Sequence, residues 1–153
     1  MFLTVHEVQA ATDVFPLRFQ EIQDDSIVLY GLDVFANVQV QAAHRRLRIE
    51  QELRDAQIRL RRAAMDAAGS EDALATSVLR KAHQVRAAIR ALLSLQGLEV
   101  ESSLRPVLEA AGRHYGLDTG VILQARERPG QAYEALAQLL LRAVADADVQ
   151  EVG

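Results

Sequence analysis

Apolar residues in the longer, C-terminal part of the chain recur every three or four positions, which is the period of an amphipathic helix. One stripe runs through residues 42–67 and a second through residues 74–95. Gly69 is suited to end the first helix, Ser70 is a good N-cap for the next, and Gly97 stops it. Because the connection is so short, we predict an antiparallel helical hairpin. The apolar face of the first helix is predicted to comprise Leu47, Ile49, Leu53, Leu60, Ala63, Ala64 and Ala67.

Three further helices are predicted in the last third of the chain. The first runs over about residues 103–115, with Gly116 as its C-terminal cap. A short helix follows Asp118, and Pro129 opens the last one, whose buried stripe lies within residues 136–144.

The N-terminal residues predict a short helix followed by two strands. Thr4 and Glu7 fit a capping box, and that helix would end near Asp13. Residues 14–22 alternate between apolar and other side chains, which is the period of a strand. Pro16 places this first strand at a strand start or at a sheet edge. Residues 24–26 are predicted to form a turn, and residues 27–30 a second strand.

These patterns together predict a mainly α fold. We expect an antiparallel helical bundle of four to five helices with a small N-terminal β hairpin. Residues 1–40 would hold the first helix and the hairpin, and residues 41–153 the bundle. The two parts are expected to form one compact unit.

Composition is that of a globular protein with an aliphatic core. Of 153 residues, 50% are hydrophobic, 5% are aromatic and none is Cys. The chain therefore has no disulfide, thiolate metal site or Cys nucleophile. No apolar run is long enough to span a bilayer and no signal peptide is evident, so we expect no membrane contact and a cytoplasmic location.

Charge is concentrated in one segment, although the net charge is only −4. Residues 44–62 hold seven Arg, three acids and one His. One interpretation is a helix that contacts phosphate or nucleic acid. The other interpretation, which we favour, is a helix face exposed to solvent and stabilised by local ion pairs. The segment has no aromatic residues that could stack on bases, which argues against nucleic-acid binding. The candidate contacts are Arg45, Arg46, Arg48, Arg59, Arg61 and Arg62.

No arrangement of residues indicates catalysis. The four histidines do not combine with carboxylates at metal-ligand spacing. Asp24 and Asp25 are better explained as a turn, and Asp146 with Asp148 lacks partner ligands. We therefore predict no catalytic residue, no cofactor and no metal site.

Three stretches carry a resemblance to a known family. They are DVFPLRFQEIQ at 13–23, VLYGLDVFANVQV at 28–40 and HRRLRIEQELRDAQIRLRRA at 44–63. In this order they resemble the C-terminal portion of bacterial proteins in the DNA polymerase β-like nucleotidyltransferase superfamily. The resemblance covers residues 1 to about 68. It implies that residues 14–30 are the last strands of a nucleotidyltransferase sheet and that the bundle is substrate-binding.

The catalytic part of that family does not lie within this chain. Its Gly-Ser and Asp-x-Asp signature, which holds two divalent metals, would precede Met1. A further carboxylate is expected near Arg18 and Glu21, where an Arg would repel a cation. The chain would then be a reduced homologue, a product of gene splitting or a sequence whose start is assigned too late.

The expected function is a non-enzymatic binding or interaction module, similar to the substrate-binding bundle. One alternative is a non-catalytic subunit of a two-chain nucleotidyltransferase, whose separate chain supplies the metal-binding Asp pair. Another is an Arg-rich RNA-binding helical protein, with nucleic acid not the favoured partner.

Self-association is expected through the predicted strand 14–22, because an unpaired strand edge invites a second chain. Phe15, Leu17 and Phe19 would form the apolar face of a homodimer. The competing outcome is a monomer in which the bundle covers the hairpin.

Overall fold

The computed structural model of the protein describes residues 4, 7–8, 11–12, 14–36 and 42–149. The chain divides into two compact units, Met1–Arg48 and Ile49–Gly153. The predicted boundary between residues 40 and 41 lies outside the described residues.

The described residues form helices and contain no β-strand. The α-helices are α1 (Pro16–Asp25), α2 (Ala42–Asp66), α3 (Glu71–Leu95), α4 (Leu104–Tyr115) and α5 (Pro129–Val149), and a 3₁₀ helix spans Gly120–Gln124. The mainly α prediction is confirmed, and the predicted breaks between the helices of the bundle are found where the sequence placed them.

The predicted N-terminal β hairpin is wrong, because its first strand is the helix α1. Pro16 stands in the first turn of this helix, where its missing N–H costs no hydrogen bond. Helical spacing brings Phe19 and Ile22 onto one side, where both pack into an apolar cluster. The predicted second strand, residues 27–30, is irregular and has no strand partner among the described residues.

The first unit has a small core of its own around Phe19. This ring is fully buried and packs with Val8, and its centroid lies 5.6 Å from that of Phe35. The amide of Gln23 on α1 donates to the carbonyl of Phe35 at 2.7 Å. Asp33 accepts from the backbone N–H of Phe35 at 2.9 Å, which folds the chain back towards α1.

The expected pairing of Thr4 with Glu7 is present. The Glu7 carboxylate accepts from the backbone N–H of Thr4 at 2.8 Å and from its hydroxyl at 2.8 Å. The backbone hydrogen bond lowers the pKa of Glu7, and the hydroxyl contributes in the same direction. The predicted end of this helix near Asp13 lies outside the described residues.

Local signals fix the ends of the helices in the second unit. Gly69 adopts a φ of 86°, and the Ser70 hydroxyl accepts from the N–H of Ala73 at 3.3 Å. Gly97 follows α3 with a φ of 77°, and Gly116 caps α4 in the left-handed region. Each of these positions needs either a side-chain cap or a backbone that glycine adopts without strain.

The helix α3 is central to the second unit and packs against α4, the 3₁₀ helix and α5. It also lies beside α2, as the surroundings of Lys81 show. Burial lowers the pKa of Lys81, and the nearby cation Arg59 on α2 lowers it further. Arg59 and Lys81 stand at equal distances along the chain from Ser70, which is the register of an antiparallel hairpin.

The buried face of α2 agrees with the prediction only in part, because Ala56 is buried although it was not predicted, and Ala63, Ala64 and Ala67 are only partly buried. Ile49, Leu53 and Leu60 are buried as expected, but Leu47 is exposed. At 100° per residue, Leu47 lies on the side opposite Ile49. The prediction therefore included one exposed residue and left out one buried residue, Ala56.

Gly112 is a point of close approach between α4 and the turn that follows it. A Cβ at this position would lie 2.5 Å from the Thr119 hydroxyl oxygen and 2.8 Å from the Leu117 carbonyl oxygen. That hydroxyl is buried and donates to the carbonyl of Leu108 at 2.6 Å. The turn can therefore fold onto α4 only because residue 112 has no side chain.

We expect Gly112→Ala to destabilise the protein by about 1–3 kcal/mol, because the backbone carbonyl cannot move away from the new methyl group. This loss should exceed the gain of about 1 kcal/mol that Ala gives in a helix interior. Urea unfolding followed by circular dichroism measures the change. Gly130→Ala on α5 is the matched control, since a Cβ there meets nothing within 4 Å. Equal stability of the two variants would contradict the close-approach argument.

Candidate interaction site

The most unusual feature of the first unit is a run of exposed apolar side chains. Ile27 is 84% exposed, Val28 46%, Leu29 94%, Tyr30 98% and Leu32 91%. Isolated exposed apolar residues are ordinary on a protein surface, whereas a contiguous group is a candidate for an interaction site. We call residues 27–32 the apolar segment.

The ends of the apolar segment explain why it is exposed. Helix α1 stops at Asp25, and Ser26 is in an extended conformation with φ −101° and ψ 154°. Gly31 adopts a φ of 86°, so the chain turns at that point. Among the described residues, no backbone hydrogen bond joins residues 27–32 to the rest of the chain.

Acidic residues flank the apolar segment on both sides. Asp24 and Asp25 precede it and Asp33 follows it, and all three are exposed. No Lys or Arg occurs between Phe19 and Ala43. The segment therefore combines apolar contact area with a strongly negative border.

The six predicted arginine contacts do not form one surface. Arg45, Arg46 and Arg48 are partly buried, and Arg59 is exposed and pairs with Asp55 at 2.8 Å. Arg61 and Arg62 are exposed. Of the predicted set, these last two are the ones that α2 presents most directly to solvent.

Arg61 and Arg62 lie on the outer side of α2 together with two apolar residues. Ile58 is 52% exposed and Met65 is 71% exposed. Ile58 and Met65 point in directions about 20° apart around the helix axis, with the two arginines on either side of them. We call these four residues the outer face of α2.

Two of the three residues predicted for self-association are buried in the first unit. Leu17 is 5% exposed and Phe19 is fully buried. Phe15, at the N-cap of α1, is the exposed member of the set. The strand edge on which the dimer prediction depended is absent, because α1 is a helix. Association between copies itself stays a prediction.

A polar cluster joins three helices in the second unit. The Tyr115 hydroxyl donates to one carboxylate oxygen of Asp146 at 2.8 Å, and the Gln96 amide donates to the other at 3.1 Å. The His114 Nε2 lies 3.7 Å from Asp146, and its ring meets Tyr115 edge-on. Burial raises the pKa of Tyr115, and the hydrogen bond to Asp146 raises it further.

A second polar contact ties α2 to α5. The guanidinium of Arg54 donates to both carboxylate oxygens of Asp148 at 2.7 Å. It also donates to Glu50 at 2.6 Å, so this arginine bridges two carboxylates. Asp146 and Asp148 both lie within α5.

Sequence reasoning anticipated the local pair of Glu50 with Arg54 but missed the long-range contacts of these two clusters, because their members are far apart in the chain. Asp148 lies 94 residues from Arg54, and Asp146 lies 31 residues from Tyr115. No local pattern marks such pairs. The apolar segment was visible in the sequence, but it was interpreted as a strand with a partner.

The described residues contain no group of three His, Cys, Asp or Glu that could hold a metal ion. Within the same part of the chain, no helix is long and apolar enough to cross a membrane.

Comparison with known proteins found no match of this chain to a family model, to a curated protein or to a solved structure.

We expect Tyr115→Phe to destabilise the second unit by about 1–2 kcal/mol at neutral pH, because it removes a hydrogen bond to a carboxylate. The pH dependence of the free energy of unfolding should change as well. The pKa of Tyr115 is raised above its ordinary value of 10.0. The stabilisation that the neutral Tyr115 side chain gives the folded state is therefore complete below pH 10.0, and it declines as the pH rises above that value. The variant should therefore lose part of the alkaline destabilisation of the wild-type chain.

Urea unfolding of both proteins between neutral and strongly alkaline pH measures this difference. Tyr133→Phe on α5 serves as the control, because this tyrosine lies outside the Asp146 cluster. An alkaline profile of Tyr115→Phe that matches the wild type would contradict the assignment.

Proposed function

We propose that this chain is a non-enzymatic protein-interaction module whose binding element is the apolar segment 27–32. The observation that carries the proposal is the exposure of Leu29 and Tyr30, at 94% and 98%. Both belong to a run of apolar residues that the first unit leaves in water. The proposal assigns recognition to the chain and no chemical step.

The energetics favour a moderate affinity. Full burial of one large apolar side chain contributes about 1.5–3 kcal/mol. Covering the four most exposed residues of the segment would contribute about 6–12 kcal/mol as an upper bound. Association itself costs about 4–15 kcal/mol. The segment alone therefore supports weak or moderate binding, and its acidic border would add selectivity for a basic surface.

The expected likeness to a nucleotidyltransferase bundle is part of the proposal only at the level of binding. The order of the three motifs supports it, but α1 occupies the place of the family's expected strand. A two-chain nucleotidyltransferase would then be one possible assembly that this module completes. Recovery of a protein with a Gly-Ser and Asp-x-Asp signature as the bound partner would favour that version.

RNA binding is the other alternative, and Arg61 and Arg62 are its best-exposed candidates. It predicts binding that weakens steeply as salt increases. Titration of a fluorescent single-stranded RNA at low salt tests it. Arg61→Glu with Arg62→Glu should abolish such binding, and an absence of binding by the wild-type chain would remove the alternative.

We expect Leu29→Asp with Tyr30→Asp to abolish binding to the protein partner. The tagged full chain would be cross-linked in cells of the organism that encodes it, and its bound proteins identified by mass spectrometry. The substitutions replace apolar contact area with charge at exposed positions, so the fold should be unaffected. Circular dichroism would verify this.

Leu141→Asp is the matched control, because Leu141 is 58% exposed but lies on α5 in the second unit. It should retain the partners of the wild-type chain. If the Leu29 and Tyr30 variant retained the same partners, the apolar segment would not be the binding element.

A further inference from the structure

We propose that the apolar segment of one copy binds the outer face of α2 of a second copy. This inference is based on the proposed function and names the partner of the same segment. Both surfaces are exposed in the single chain, and each has what the other lacks. The segment is apolar with an acidic border, and the outer face is apolar with basic neighbours.

The segment contributes most of the apolar area. Leu29 and Tyr30 are almost fully exposed, and Ile27 is nearly so. Asp24 and Asp25 lie directly before them in the last turn of α1. Any surface that covers the segment must also meet these carboxylates, so a basic surface is preferred.

The outer face of α2 meets both requirements. Ile58 and Met65 provide exposed apolar contacts on one side of the helix. Residues 58–65 include three Arg and no carboxylate. The Arg59–Asp55 pair neutralises one of these cations, which leaves Arg61 and Arg62 to face an acidic border.

Pairing of the segment with itself is disfavoured by charge. In an antiparallel pair, Asp25 of one copy would lie near Asp33 of the other, and in a parallel pair like residues would face each other. Like charges placed opposite each other destabilise a pair of strands. An exchange in which each segment binds the partner's α2 avoids this repulsion, and it makes two equivalent contacts about a two-fold axis.

Sedimentation equilibrium of the full chain tests the proposal at low ionic strength, about 0.02 M, where charge effects are least screened. We expect a monomer–dimer equilibrium with a Kd of about 10–100 µM. Asp24→Arg with Asp25→Arg should raise that Kd about tenfold, since attraction becomes repulsion. Arg61→Glu with Arg62→Glu should have the same effect.

The combination of all four substitutions should restore the wild-type Kd to within about threefold, because the two borders are again opposite in charge. Leu29→Ser should also raise the Kd about tenfold through loss of apolar contact. Arg126→Glu with Arg128→Glu is the matched control for charge, because both residues are exposed outside the outer face. It should leave the Kd unchanged.

Three outcomes would overturn the proposal. A chain that stays monomeric up to about 500 µM has no such contact. Tighter association of the Asp24 and Asp25 variant indicates that two segments pair with each other, because that change removes their repulsion. Association that is insensitive to both charge reversals, or that the combined variant fails to restore, places the contact elsewhere.

These outcomes separate the inference from the proposed function. A strict monomer whose cross-linked partners are lost on changing Leu29 and Tyr30 would overturn the second-copy partner alone. The segment would then bind a different protein. Partners that are unaffected by those changes would overturn the proposed function itself.

Discussion

The burial of Phe19 is the contact on which the first unit depends. Its ring lies against Phe35, 5.6 Å away between centroids, and packs with Val8. This contact fixes α1 at one end and the turn at Asp33 at the other. The intervening residues 26–32 must connect the two ends outside a core too small to cover them. Exposure of the apolar segment is therefore a consequence of how the core closes.

The helices of the second unit could be predicted because their limits are set by single residues. Ser70 caps one helix and Gly116 ends another, and these signals act within a few positions of the chain. Residues 14–22 could not be assigned in the same way. So short a segment fits two patterns. A strand period of two is matched by Phe15, Leu17 and Phe19, and a helical spacing is matched by Phe19 and Ile22. The small core around Phe19 decides between them, and no local pattern contains that information.

The sequence predicted which residues the candidate site contains but not which of them are exposed to solvent. The arginine run was identified correctly as one helical stretch, and its residues were treated as equivalent. The structure separates Arg59, which pairs with Asp55, from Arg61 and Arg62, which face solvent. Arg54, which was not a candidate, proves to hold Asp148 across 94 residues of sequence. Accessibility depends on such tertiary partners, and a helix pattern does not show them.

The net charge of −4 conceals a separation of charge that affects both proposals. Between Phe19 and Ala43 the chain has four carboxylates and no Lys or Arg, whereas residues 58–65 have three Arg and no carboxylate. Each of these regions also exposes apolar side chains. A purely solvated surface would need neither feature, since scattered charges of mixed sign keep a chain in solution. Surfaces that are both apolar and of one sign gain most when they meet a surface that is apolar and of the other sign. The chain carries one of each, and we therefore propose the same residues both for recognition of a foreign partner and for recognition of a second copy.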